Sequence, residues 1–380
     1  VRIKPAHGPV RRDHLEADQV RAVPGRPVEL PDPSSHGDLL ARLPHTWHVR
    51  DAMASLPSCG YPEIPASFGT LRCTKTPITP VFSWMACHFM SWFESLILGL
   101  VQGLTEFLPI SSSAHLRLTA AFAGWQDPGA AFTAITQIGT EAAVLIYFRK
   151  DITRILSAWF RSLRDKHMRS DHDAQMGWLV IVGSIPIGVL GLTLKDQIEG
   201  PFRDLRLIAT TLIVMGIVLG IADRLAARDE VGGKHRVVRE RKTLRDLGVR
   251  DGLIFGFCQA MALIPGVSRS GATISGGLLM GYTREAAARY SFLLAIPAVL
   301  ASGGYELKHA TEGGAIYWGP TIFATVVAFA SGYAVIAWFM KFITTKSFMP
   351  FVIYRILLGL ALYLLVGADV ISPHAGESGG

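Results

Sequence analysis

The sequence predicts an all-α integral membrane protein, with six spanning helices and two re-entrant broken-helix hairpins arranged as an inverted repeat. Three observations carry that expectation. Half of the 380 residues are hydrophobic, only 18% are charged, and the mean hydropathy is +0.33. From Met90 onward eight apolar runs follow one another, six of them uninterrupted and two broken near the middle by proline and polar residues. The two broken runs resemble each other, and three uninterrupted runs follow each of them.

The first observation excludes several classes. A disordered chain is poor in apolar residues and rich in charge. The 38 Gly show no three-residue period, and four Cys in 380 residues do not make a disulfide scaffold. The net charge of +7 does not point to nucleic acid. Its basic residues cluster at 149–169 and 224–250, each flanked by apolar runs, rather than along a face interleaved with aromatics.

The average conceals a division. Residues 1–89 hold 12 of the 21 Pro, 6 of the 12 His and 3 of the 4 Cys, and contain no apolar run that could cross a bilayer. A crossing takes about 20 apolar residues. The segment reads as a Pro/His-rich extension, either disordered or the product of an overlong start, because MSWFESLILGL at Met90 has the character of a natural beginning. Residues 90–367 form the expected polytopic domain, with repeat halves at about 90–225 and 250–367, and residues 368–380 a disordered tail.

Taken in order, the first broken run spans 92–122 and is interrupted by QGLTEFLPISSSAH. Uninterrupted runs follow at 130–148, 176–194 and 205–222. The second broken run, 252–281, contains FCQAMALIPGVSRSGATISGG, and further runs lie at 290–306, 317–340 and 348–367. Gly99 and Gln102 match Gly256 and Gln259 at the same spacing; Pro109 and Ser112 match Pro265 and Ser268 once a one-residue gap is allowed.

Charge sets the expected topology. The loop 149–175 carries seven Lys/Arg against four Asp, and 223–250 carries nine against five acidic residues. Both belong on the cytoplasmic side by the positive-inside rule. Lys341 and Lys346 join them only if the broken segments enter and leave on one side, which makes the two halves inverted. Inverted repeats with broken helices meeting at mid-membrane build polar sites in a bilayer.

Ionisable residues inside apolar runs are costly and point to function. Gln102 and Glu106 are four apart, hence on one helix face. Two oxygens there suit a hard divalent cation, or Glu106 serves as a proton acceptor. Ser112 and His115 form a second pair, a hydroxyl with the commonest general base. In PGVSRSG, small residues let backbone N–H groups approach an anion, and Arg269 adds a fork of donors suited to phosphate oxygens. Arg269 requires an anionic ligand or Glu106 as its partner; Ser268 and Ser270 would add hydroxyls. Glu94 and Glu141 are candidates to line the same cavity, Arg117, Arg289 and Arg355 to pair locally or snorkel, and Cys258 to be an apolar filler. Together these residues describe an anion pocket at bilayer depth that handles a phosphate-bearing lipid, by cleavage or by transport.

QGLTEFLPISSSAH and PGVSRSG resemble the two signatures of the bacterial undecaprenyl-diphosphatases, the bacitracin-resistance family. The first is similar to that family's [E/Q]-x-x-x-E element followed by P-x-S-S-x-x-H, the second to P-G-x-S-R-S-G. The resemblance covers about Met90 to Gly367 and nothing of residues 1–89. It implies hydrolysis of undecaprenyl diphosphate to undecaprenyl phosphate and inorganic phosphate. That reaction recycles the lipid carrier of peptidoglycan synthesis, from a site opening to the outer face of the plasma membrane. By motif position, Glu106 and Gln102 would bind a divalent cation, Mg²⁺ or Ca²⁺, or assist proton transfer. Ser112 would be the nucleophile or hold the attacking group, and His115 its base or an acid. Arg269, Ser268 and Ser270, with Ser111, Ser113, Gly266 and Gly271, would hold the diphosphate. Gln102 stands where some members have Glu, so the site carries one negative charge fewer.

The resemblance implies a polyprenyl diphosphate and the lipid bilayer as partners. A homodimer is one assembly the sequence allows, and no nucleic acid is expected. The alternative from another class is a transporter or flippase of a phosphorylated polyprenyl lipid, because inverted repeats with broken helices are also a transporter plan. A channel lacks support: no ring of repeated charges is visible.

Overall fold

The computed structural model describes residues 90–194, 197, 198, 202, 204–230, 240–313 and 317–374. These belong to the unit 77–380; the extension expected at 1–89 lies outside the described residues. The helices are Trp92–Thr105 (α1), Ser112–Ala123 (α2), Gly129–Tyr147 (α3), Arg149–Arg164 (α4), His172–Thr193 (α5) and Leu205–Glu230 (α6). Then come Val249–Ala260 (α7), Arg269–Leu279 (α8), Arg284–Gly313 (α9), Trp318–Thr345 (α10) and Met349–Gly367 (α11). Among the described residues, the extended pairing is an isolated bridge between Lys242 and Tyr282.

Six helices, α3, α5, α6, α9, α10 and α11, are long and apolar enough to cross a membrane, with mean hydropathies of 1.3 to 2.2 over their best stretches. They are the six uninterrupted runs. Their outward residues are apolar: Val189, Val214, Ile217, Leu357 and Leu364 are all exposed. In water such a surface would be an aggregation liability; against lipid it is the required one.

The two broken runs form helix–corner–helix pairs, α1–α2 and α7–α8. At 1.5 Å per residue, arms of 14, 12, 12 and 11 residues reach only about 17–21 Å. A bilayer core is about 30 Å thick, so no arm crosses alone. Each first arm seats against a spanning helix through a glycine. A Cβ on Gly99 of α1 would lie 2.6 Å from the Ala324 carbonyl oxygen of α10, and one on Gly256 of α7 2.3 Å from that of Gly183 in α5. Only glycine permits such approach of two backbones.

Several charged residues turn out to be structural. Glu94 does not line a cavity: it closes a capping box with Ser91 at the start of α1, its carboxylate accepting from the Ser91 N–H at 2.7 Å. Arg117 pairs with Asp127 at 3.5 Å, and Arg289 with Asp151 at 2.9 Å. The segment 149–164, read as loop, is the helix α4, with Leu156, Phe160 and Leu163 exposed among its arginines. In the last part of the other basic segment, the Asp246 carboxyl accepts from the Thr243 N–H and hydroxyl, which hold it below the usual carboxylate range.

The core is densest toward the basic segments. There Phe107, Phe148, Phe255, Tyr290, Phe292 and Phe339 pack together, with Phe255 and Tyr290 centroids 4.8 Å apart. Beyond the last span, Ile371 is buried beside Leu205 and Ile208, and the Pro373 carbonyl accepts from the Leu205 N–H at 3.1 Å. Residues 375–380 of the expected tail lie outside the described residues.

Candidate active site

The two corners are built alike, in a register different from the one expected. Ser111 (φ 75°) and Ser268 (φ 71°) are each the N-cap of the second arm, with a backbone that side chains rarely adopt. Each lies nine residues after its buried glutamine, Gln102 or Gln259, so the corners align without a gap. Ser111 thus corresponds to Ser268, Ser112 to Arg269 and Ser113 to Ser270. Pairing Pro109 with Pro265 forces a gap because the prolines are offset by one residue, two before Ser111 and three before Ser268, while the turns themselves coincide. Side chains repeat the correspondence, with Ser111 Oγ 3.2 Å from Ser113 Oγ and Ser268 Oγ 3.2 Å from Ser270 Oγ.

The first corner carries the reactive set. Glu106 is buried, and its Oε2 accepts from Gln102 Nε2 at 2.8 Å and from Ser112 Oγ at 2.6 Å. Its Oε1 accepts from Arg269 Nη2 of the second corner in a charge-assisted bond. Three residues, the farthest of them 163 positions from Glu106, therefore meet on one carboxylate. Ser112 engages Glu106 rather than His115, the partner expected from spacing alone.

His115 faces another way. Its Nδ1 lies 2.7 Å from the Ser111 carbonyl, which can only accept, so Nδ1 carries the proton. Nε2 lies 2.7 Å from the Tyr354 hydroxyl, and the two rings stack with centroids 5.6 Å apart. A neutral ring in that tautomer accepts from Tyr354 and holds the strained Ser111 in place.

Arg355 fastens both corners. Fully buried in α11, it donates to Pro109 O at 2.9 Å, Gly266 O at 2.7 Å and Val267 O at 3.0 Å, and also to the Leu212 carbonyl of α6. Pairing locally was one of the two fates expected for Arg355; the structure instead gives it long-range carbonyl partners from three elements. Ser270 Oγ adds a bond to the Leu108 carbonyl at 3.0 Å.

A cavity of ≈ 660 Å³ opens over this set. Glu106, Ser111, Ser112, Ser113, Ser268 and Arg269 form its polar floor. Ile181, Ile185, Leu192, Pro297 and Val299 supply apolar walls, and Gln137, Tyr305 and Glu306 further polar points. Ser270, Gly266 and Gly271, expected on the ligand, do not line it: Gly266 is turned to Arg355 and Gly271 donates its N–H to Ser268 Oγ. They shape the corner behind the floor.

The family model of bacitracin resistance protein BacA matches residues 95–361. The chain belongs to this family. It is 87% identical over 291 residues to an undecaprenyl-diphosphatase of Streptomyces griseus subsp. griseus, covering 77% of this chain and 100% of that protein. Over the same length it is 82% identical to undecaprenyl-diphosphatase 2 of Streptomyces avermitilis, with the same coverage. Against an undecaprenyl-diphosphatase of Thermobifida fusca identity is 62% over 287 residues, 76% of this chain and 94% of that protein. Family and spans together make the chain a multi-pass membrane protein.

A divalent cation of the kind the resemblance implies meets suitable donors here. Glu106 is a carboxylate, Ser112 a hydroxyl, and Gln102 Oε1 is buried with no hydrogen-bond partner. All are hard oxygens, the preferred ligands of Mg²⁺ and Ca²⁺, so the residues fit.

Reading the sequence missed Tyr354, the clamp formed by Arg355, and Gln137. Tyr354 and Arg355 sit in an ordinary apolar run, 239 and 246 positions from the groups they touch in the first corner, and only the folded chain joins them.

Proposed function

We propose that this chain hydrolyses undecaprenyl diphosphate to undecaprenyl phosphate and inorganic phosphate, recycling the lipid carrier of peptidoglycan synthesis and thereby conferring resistance to bacitracin. One observation carries the reading: Ser112 Oγ donates to Glu106 at 2.6 Å, beside Arg269, on the floor of an apolar-walled cavity. A hydroxyl, its base and a phosphate-binding fork are what cleavage requires and what carriage alone would not. This favours a hydrolase over a flippase.

Arg269 moves from Glu106 onto the diphosphate and offsets the charge gathering on its oxygens. Glu106 then takes the Ser112 proton as Oγ bonds to the terminal phosphorus. The bond from that phosphorus to the bridging oxygen breaks, and Glu106 passes the proton to the departing undecaprenyl phosphate. Water next attacks the seryl phosphate, giving its proton to Glu106, which returns one to Ser112 as inorganic phosphate leaves. His115, with Tyr354, acts as a positioning residue for this corner. A divalent cation held by Glu106 and Gln102 would neutralise phosphate charge when bound.

Ala130, Leu192 and Glu306 line the cavity at the helix ends opposite the basic segments 149–175 and 223–250. With those segments cytoplasmic by the positive-inside rule, the cavity opens to the outer face of the plasma membrane. The short arms are then re-entrant, and the halves an inverted repeat.

The test is phosphate release from undecaprenyl diphosphate by purified protein in detergent, with Mg²⁺ or Ca²⁺ supplied. Activity in the wild type, and its loss in folded Glu106→Ala and Arg269→Ala, supports the reading. Folded wild-type protein that releases no phosphate overturns it.

A further inference from the structure

We propose that Glu141 supplies the second carboxylate of a divalent-cation site, completing with Glu106 and Gln102 a three-oxygen set behind the cavity floor. The inference rests on the hydrolase reading and extends it to a residue with no place in either signature motif.

Glu141 lies in α3, one turn beyond Gln137, and positions four apart share a helix face. Ala130 and Gln137 both line the cavity, so this face of α3 runs along it toward Glu106, with Glu141 at its deep end. There α1 and α3 converge on Gly332 of α10: a Cβ at that glycine would lie 3.3 Å from Thr140 and 3.8 Å from Gly103. Thr140 precedes Glu141 and Gly103 follows Gln102. Glu106 and Arg269 are both within electrostatic reach of Glu141.

The unmet valences there are of one kind. Glu141 is 1% exposed, Gln102 0%, and Oε1 of each is buried without a hydrogen-bond donor. Buried acceptors are nearly always satisfied, and an unpartnered one costs about 1–3 kcal/mol. Two unpartnered acceptors beside the Glu106 carboxylate call for a positive species. In the resting protein Arg269 pairs with Glu106 and lies within electrostatic reach of Glu141. Once the diphosphate draws Arg269 away, two carboxylates stand next to an anionic substrate. A hard divalent cation offsets that repulsion and matches oxygen donors. Gln102 brings no charge to the pair it forms with Glu106; Glu141 brings one from the neighbouring helix.

The experiment measures Mn²⁺ binding by electron paramagnetic resonance on the full chain purified in detergent, for wild type, Glu141→Gln, and the double variant Gln102→Glu/Glu141→Gln. Phosphate release is assayed in parallel. Wild type binds Mn²⁺; Glu141→Gln binds it at least about tenfold more weakly; the double variant, with its carboxylate moved to α1, regains binding. If Glu141→Gln does not fold, the double variant decides by itself. Wild type that binds no Mn²⁺, Glu141→Gln that binds like wild type, or a double variant as weak as the single one overturns the cation site. Wild type that binds Mn²⁺ yet releases no phosphate leaves the cation site standing and overturns the hydrolase reading instead.

Discussion

The two corners share a frame and divide the chemistry. Both have a buried glutamine nine residues before a serine of positive φ, both cap a short helix with that serine, and both pair serines two apart at 3.2 Å. Yet the first places Glu106 four residues after its glutamine, where the second has Leu263. The first has Ser112 where the second has Arg269, and His115 where the second has Ala272. One corner holds the base and the hydroxyl, the other the cation that recognises phosphate. Doubling a rigid backbone corner and letting the copies diverge delivers complementary groups to one point from opposite sides. That is difficult to do within a single short turn.

The largest effect should come from separating the two contributions. Glu106→Gln removes the base that takes the Ser112 proton and the negative charge that pairs with Arg269; loss of a positioned base costs roughly 10²–10⁴-fold in turnover. Arg269→Lys, which keeps the charge but not the planar fork, should lose at least about 10²-fold. Steady-state phosphate release checks both, and a drop under tenfold in either would break the division of labour.

Next comes the fastening of the frame. Arg355→Met strands the carbonyls of Pro109, Gly266 and Val267, each costing about 1–3 kcal/mol when buried without a donor. Thermal unfolding in detergent should show a loss of at least about 3 kcal/mol by that reckoning. An unchanged midpoint would mean the corners hold without the clamp.

The glutamines sharpen the comparison further. Gln102→Met removes a hydrogen bond to a carboxylate, worth about 1.5–3 kcal/mol, and should lower turnover about tenfold or more. Gln259 is equally buried, but neither its Nε2 nor its Oε1 has a partner, so Gln259→Met should leave activity intact and stability equal or higher by about 1–2 kcal/mol. Parallel assay of the pair checks this; equal losses would show that the second glutamine has a working role.

The smallest effect concerns the caps. Glycine tolerates positive φ, so Ser111→Gly relieves about 1 kcal/mol of backbone strain. Ser268→Gly gains less, because Ser268 Oγ also accepts from the Gly271 N–H, a cap whose replacement by glycine costs a few tenths of a kcal/mol. Denaturation of the two variants side by side tests the ranking.

The six spans, the two interruptions and the residues Glu106, Ser112 and Arg269 were legible in the linear chain. An apolar run long enough to span is a local property, and a charge within one is conspicuous because its burial is expensive. Partnership was another matter. Spacing suggested Ser112 with His115, yet the reversal of direction at Ser111 turns Ser112 to Glu106 and His115 to Tyr354. Glu94, conspicuous in the same way as Glu141, is only a cap, while Arg355 ties three elements together. Composition and periodicity thus settled which segments enter the membrane and which of their residues are anomalous there. What those residues touch was decided by tertiary structure, since hydrogen bonds are directional and their partners lie as much as 246 positions away.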